Sequence, residues 1–191
     1  MNILALDQLT NEKWLNLYAA RYEHKGHTGR WVFATRRPRP YQGRACDAVL
    51  IVAVLREDGA APRLVLEKEF RVPVGGYVYG LPAGLLDAGE SVETTVRREI
   101  REETGLEVTA IHRITPPLYS SSGMTDEAAA MAFVDVRTTP ETKQHLESSE
   151  DIEVLLLDRQ QVGELLADEV NGIDAKAWMA CYLFHQMGQV V

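Results

Sequence analysis

The stretch GLLDAGESVETTVRREIREETGL, residues 84–106, sets Glu90, Glu99, Glu102 and Glu103 within one helix and the loop that leads into it. Ser91 is a residue type that caps helix N-termini, and Gly105 stands where a left-handed residue ends a helix, so the spacing predicts a helix over 92–104. At 100° per residue, Val92, Val96, Glu99 and Glu103 share one stripe, which begins apolar and ends in carboxylates. A helix that only covered a core would keep that stripe apolar throughout, so the two acids must face a polar cleft, a partner or a metal. Glu102 lies one step round and completes a three-carboxylate face. Two such charges ~4 Å apart repel by about 4 kcal/mol at an effective dielectric of ~20, which calls for a cation between them. Hard oxygen donors without His or Cys favour Mg²⁺ or Mn²⁺ over zinc. A solvated face, with Arg97, Arg98 and Arg101 pairing one turn away along the helix, is the plainer reading; its continuity with Val92 and Val96 weighs against it.

The length of the chain suits one well-cored domain with a small appendage. Its 191 residues are 46% hydrophobic and 25% charged, the balance of a globular protein. A net charge of −8 gives no general attraction to nucleic acid or anionic lipid, so a phosphate-bearing ligand must be met by local cations or by metal. The longest apolar run, VLIVAVL at 49–55, is far short of the ~20 residues that span a bilayer. The first residues show no export signal, and a cytoplasmic location is expected by default. Cys46 and Cys181 are the only cysteines, so neither a disulfide framework nor a structural zinc site is expected.

Outward from the acidic segment, the chain alternates strand and helix signals without the regular βαβ order of a doubly wound fold. WLNLYAARYEHKG and GRWVFATRR, with Gly26 and Gly29 between, read as a β-hairpin, and PRPYQG at 38–43 as a link into the main body. VLIVAVLRE and RLVLEKEFR look like buried neighbouring strands. VPVGGYVYGLPAG, at 72–84, is punctuated by Gly and Pro and reads as a connection. EVTAIHRIT, AAAMAFVDVR and IEVLLLDR are further strands. RQQVGELLADE and DAKAWMACYLFHQM have helical spacing and should cover the sheet.

Gly84, Glu90, Arg98, Glu99, Ile100, Glu102, Glu103, Gly105 and Leu106 match every fixed position of the Nudix box, G-x5-E-x7-R-E-U-x-E-E-x-G-U, where U is a bulky aliphatic residue. The chain therefore resembles the Nudix hydrolases. That resemblance implies an α+β fold, an α/β/α sandwich with a mixed sheet, and Mg²⁺-dependent hydrolysis of a nucleoside diphosphate linked to another group. It also implies that Glu99 and Glu103 are the principal metal ligands, with Glu102 a further ligand or its support and the Ala83 carbonyl another metal oxygen. Arg98 and Glu90 would join loop to helix by an ion pair. The segment EKEFRVPVGGYVYGLPAGLLDAGE, the hairpin and the C-terminal strand and helices are similar to those of the ADP-ribose and nucleotide-sugar pyrophosphatases. The resemblance to that subgroup implies a small-molecule nucleotide substrate and a homodimer formed through residues 1–43, with the Nudix domain over 44–191.

Other candidates follow from position. By the same resemblance Arg71 binds the diphosphate; its alternative is an ion pair with Glu67 or Glu69. Arg36, Arg37, Arg39 and Arg44 form a basic cluster that either draws the anionic substrate or solubilises the link. Glu150 best matches the general base that the subgroup carries in an acidic loop before its last strand, with Glu147 the second choice. Trp31 and Phe33 either stack on a base or serve as core or dimer contacts. His24 and His27 read as exposed turn residues. Where the subgroup typically carries a proline sixteen residues past the box, Ser122 stands here, in a loop on the sugar side. The expected reaction is water attack on one phosphorus, giving a nucleoside monophosphate and a sugar phosphate. The competing readings are a hydrolase of dinucleotides or nucleoside triphosphates, and a sensor that binds nucleotide sugars without cleaving them.

Overall fold

A computed structural model describes residues 1–41, 46–146, 151–168 and 172–190, and they fall into two compact units: Met1–Asp47 with Pro117–Ala129, and Ala48–Pro116 with Ala130–Val191. In the first unit, strands β1 (Asn2–Gln8), β2 (Asn16–His24) and β3 (His27–Thr35) form an antiparallel sheet in the order β1-β2-β3. The expected hairpin is β2–β3. Its turn is Lys25-Gly26, both at positive φ (52° and 79°), the backbone twist that suits a two-residue hairpin loop. Gly29 is not part of the turn. It lies opposite Tyr22 in the ladder, and a Cβ there would run into the tyrosine ring. The third strand, β1, was not anticipated, because the pairing shifts between Ile3 and Ala5 and so breaks the period-two signal. Tyr18, Ala20 and Phe33, with Leu6 against them, make a small core.

The second unit is a sheet between two helical layers. Its strands are β4 (Ala48–Leu55), β5 (Arg63–Arg71), β6 (Gly76–Gly80), β7 (Ala83–Leu85), β8 (Glu107–Ile114), β10 (Ala128–Arg137) and β11 (Ile152–Leu157). The two-residue β9 (Leu118–Tyr119) pairs with the start of β10. The sheet order is β11-β5-β4-β10-β8, with β6 beside β5 and β7 beside β4. Helix α1 (Val92–Glu99) lies on one face; α2 (Arg159–Ala167) and α3 (Ala175–Met187) lie on the other.

Alternation along β4 and β5 divides the core. Val49, Ile51, Ala53, Leu55 and Val65 pack with Val96 and Ile100 of the α1 layer, while Val52, Val54, Leu64 and Leu66 pack with Val162, Cys181 and Phe184 of the other. That two-sided burial is why β4 reads as an unbroken apolar run. The stretch 72–84, expected as a connection, instead contains β6 and β7. Gly75 at φ 70° and the bonds from the Val74 and Gly75 N–H groups to the Arg71 carbonyl fold it back on β5. Asp158 caps α2 in a reciprocal capping box with Gln161, and Asp174 caps α3. None of the described helices is long and apolar enough to cross a membrane.

Candidate active site

The acidic helix has the expected extent but changes pitch. Ser91 caps α1 through the Thr94 N–H; after Glu99 the chain continues as a π turn, Ile100–Thr104, and ends at Gly105 with φ 71°. A π turn has more residues per turn, so it rotates Glu102 and Glu103 relative to Glu99 compared with a straight α-helix; such insertions concentrate at functional sites. Glu99 (8% exposed) and Glu103 (6%) are buried beside Val96 and Ile100 (both 0%). The carboxylates thus do lie on the stripe that packs inward. Glu102, at the side, keeps 45% of its side chain exposed.

Neighbouring elements hold the three acids in position. Strand β7 brings the Ala83 N–H to Glu103 Oε2 at 3.1 Å. Gly84 follows, and any Cβ at that position would overlap the Glu99 carboxylate. Arg98 bridges the rest: Nη1 donates to Glu99 Oε1 at 2.8 Å and to Glu102 Oε2 at 3.0 Å, Nη2 to Glu90 Oε2 and the Leu85 carbonyl at 3.1 Å each, and Nε to Glu90 Oε1 at 3.2 Å. Glu90 also accepts from the Thr95 hydroxyl at 2.9 Å and the Asp87 N–H at 3.3 Å. The Arg98 guanidinium, aided by those donors, holds the Glu90 carboxyl down at about 2, while the Glu90 hydrogen bond raises Arg98 further above its ordinary range. Arg98 therefore joins loop and helix.

Glu90, Glu99 and Glu102 share the Arg98 guanidinium and Glu103 meets the Ala83 N–H; among the described residues no three such side chains form a ready metal-binding group, but carboxylates without His or Cys are the donor type that suits a hard divalent cation. The Gly84 cradle keeps the space above Glu99 clear of carbon. The loop before β11 is tied to this helix: the His145 N–H donates to the Glu102 carbonyl at 2.7 Å, and Gln144 Nε2 donates to the carbonyls of Glu103 at 2.7 Å and Ile152 at 3.3 Å. Glu147 and Glu150 lie outside the described residues, between these anchored positions in sequence.

Arg71 ends β5 with its side chain half exposed and ion-paired to Glu69 at 2.7 Å. Alternation from Val65 places Glu67, Glu69 and Arg71 on the sheet face that α1 covers. Glu67 is 3% exposed there, a buried acid that the sequence offered only as a partner for Arg71. At the end of β5, opposite Phe70, Tyr77 donates to Asp151 Oδ2 at 2.5 Å and packs edge-on against that phenylalanine. The tyrosine was not singled out from the sequence.

The other candidates belong to the first unit. Arg37 is held in a nearly buried two-point pair with Asp47, whose Oδ2 also accepts the Ala128 N–H at 2.8 Å. Arg36 pairs with Glu127 at 3.0 Å. The Trp31 indole N–H donates to the Gly123 carbonyl at 3.0 Å, fixing the ring with 54% of the residue exposed, while Ser122 is exposed next to that contact. Arg44 lies outside the described residues.

Known proteins resemble this chain in sequence and in fold. The profile of the NUDIX domain family matches residues 44–179. An ADP-ribose pyrophosphatase of Saccharomyces cerevisiae is 33% identical over 146 residues, 75% of this chain and 62% of its own length. An ADP-ribose pyrophosphatase of Escherichia coli is 30% identical over 182 residues, 90% of this chain and 82% of its own. The crystal structure of an ADP compounds hydrolase superposes with a TM-score of 0.68 at 21% identity, covering 97% of this chain and 92% of that one, a likeness of fold.

Proposed function

The chain belongs to the Nudix family, and on that premise we propose that it is a pyrophosphatase of ADP-ribose or a related nucleoside diphosphate sugar, releasing a nucleoside monophosphate and a sugar phosphate. The observation that carries this reading is that Glu99 and Glu102 share Arg98, that Glu103 is buried against the Ala83 N–H, and that Gly84 admits no side chain over Glu99. Glu99, Glu103, Glu102 and the Ala83 carbonyl would hold Mg²⁺, or Mn²⁺ in its place. When bound, the cation neutralises diphosphate oxygens and acidifies water.

The chain's own residues do the rest. Arg71 exchanges its pair with Glu69 for the diphosphate, which a planar and permanently charged group binds at two points. Glu150, on the loop anchored to the Glu102 and Glu103 carbonyls, takes the proton of the attacking water. Arg98 bridges Glu99 and Glu102 through Nη1 and so fixes the two carboxylates as charge moves on the diphosphate. Trp31, fixed by its indole N–H, offers a flat face to a base, and Ser122 lines the sugar side. Arg44 draws the anion in; Arg37 acts through Asp47 on the backbone at Ala128.

We further assign a homodimer through residues 1–43 and a cytoplasmic location. The apolar residues Ile3, Leu4, Trp14, Leu17 and Val32 stand exposed on that small sheet, more apolar surface than a lone module favours. Assaying ADP-ribose, GDP-mannose, UDP-glucose, NADH and dGTP with Mg²⁺ tests the reading. Preferential release of monophosphate from a diphosphate sugar is expected. Tight binding of ADP-ribose without cleavage would instead make the protein a sensor.

A further inference from the structure

We propose a second ligand site, for a small phosphate monoester, in the groove behind the acidic helix. The groove measures about 1020 Å³, within the usual range of small-molecule sites or just above it. One wall is Arg97 and Arg101, the other is the loop 139–145, and the floor is the backbone 105–108. Arg97 stands about 200° round the helix from Glu99, so the groove opens away from the carboxylate face.

Its charge runs against that of the molecule. Arg97, Arg101, Arg137 and Lys143 line it with two carboxylates, Glu107 and Glu141, in a chain of net charge −8. Two of these cations are engaged. Arg97 donates to Glu93 at 3.0 Å and to the Val108 carbonyl at 3.1 Å, and Arg137 donates twice to Glu107 Oε2, at 2.9 and 2.7 Å. Arg101 and Lys143 form no ion pair among the described residues. A planar donor opposite an ammonium point charge is the pairing that a phosphoryl group meets well.

The groove is also held in shape before any ligand arrives. The Lys143 backbone lies so close to Gly105 that a Cβ there would collide with it, and the His145 N–H is bonded to Glu102 across the same junction. Thr139 and Thr142 brace the loop by reciprocal bonds, Thr139 N–H to Thr142 Oγ1 at 2.7 Å and Thr142 Oγ1 to the Thr139 carbonyl at 2.8 Å. Pro140 gives the organic part of an ester an apolar surface. Preorganised walls lower the ordering cost of binding.

Amide spectra of the isotope-labelled full chain, titrated with phenyl phosphate in the presence of a chelator, test the site. Without metal the three active-site carboxylates repel an anion, so the groove should respond alone. Saturating shifts are expected at amides 105–108 and 139–145, with binding about tenfold weaker or worse in R101A/K143A and retained in R101K/K143R. Shifts confined to the Gly84–Glu99 region, no saturation, or equal affinity in R101A/K143A would overturn the proposal.

Discussion

Arg98 meets four acceptor groups at once and so keeps carboxylates in place. Its pair with Glu90 makes an acid-side signature. Glu90 sits at about 2 in the folded chain against 4.5 ordinarily, so the pairing adds stability that is complete above about pH 4.5 and drains away as pH falls towards 2. An R98A variant should therefore melt lower than the parent by a constant margin above pH 5, with the two curves converging in acid; thermal melts across pH 2–7 check this. Glu103→Gln should keep the fold and cost at least about a hundredfold in turnover, measured beside a melting curve, since even indirect partners of a metal are worth 10–100-fold. Gly84→Ala should lower the melting temperature and weaken Mn²⁺ binding, read by titration calorimetry on the folded variant, because the new methyl displaces the buried Glu99 from Arg98. At this scale the acids were legible, since a helical stripe turning from Val to Glu is local information. The Gly84 contact, the burial of Glu67 and the indole bond of Trp31 were not, because each depends on a strand or loop remote in sequence.

The acidic helix, its cap and its end were readable from Ser91 and Gly105, and the cores on both sheet faces from the runs 49–55 and 63–66. The π turn was not, since nothing in IREET departs from good helix-forming types; it follows from how Glu103 meets β7 and how the loop 139–145 meets Gly105. Nor were β1, where a bulge scrambles the alternation, or β6 and β7, where Gly and Pro suggested a connection. Gly105 is the element-level hinge of these observations. With φ at 71° and the Lys143 backbone against it, Gly105→Ala should destabilise by more than about 1 kcal/mol in denaturant unfolding, beyond the usual penalty for alanine in that conformation. Loss of activity is expected in proportion, as the same junction carries the Glu102 and Glu103 carbonyls.

For the whole molecule, the proposed dimer predicts that removing residues 1–43 gives a folded monomer by light scattering, while the intact chain scatters as a pair; an intact chain that stays monomeric at working concentration would end that assignment. Cys181, sealed in the α3 layer with its thiol pushed up to about 12, should resist alkylation until the protein unfolds, which gives a convenient clock for global opening. The pairing of β11 with β5 joins Ile152 to Glu69 and Leu157 to Leu64. A chain truncated before residue 152 would leave β5 residues 64–69 without the partner that β11 supplies, an open strand edge able to pair with another chain.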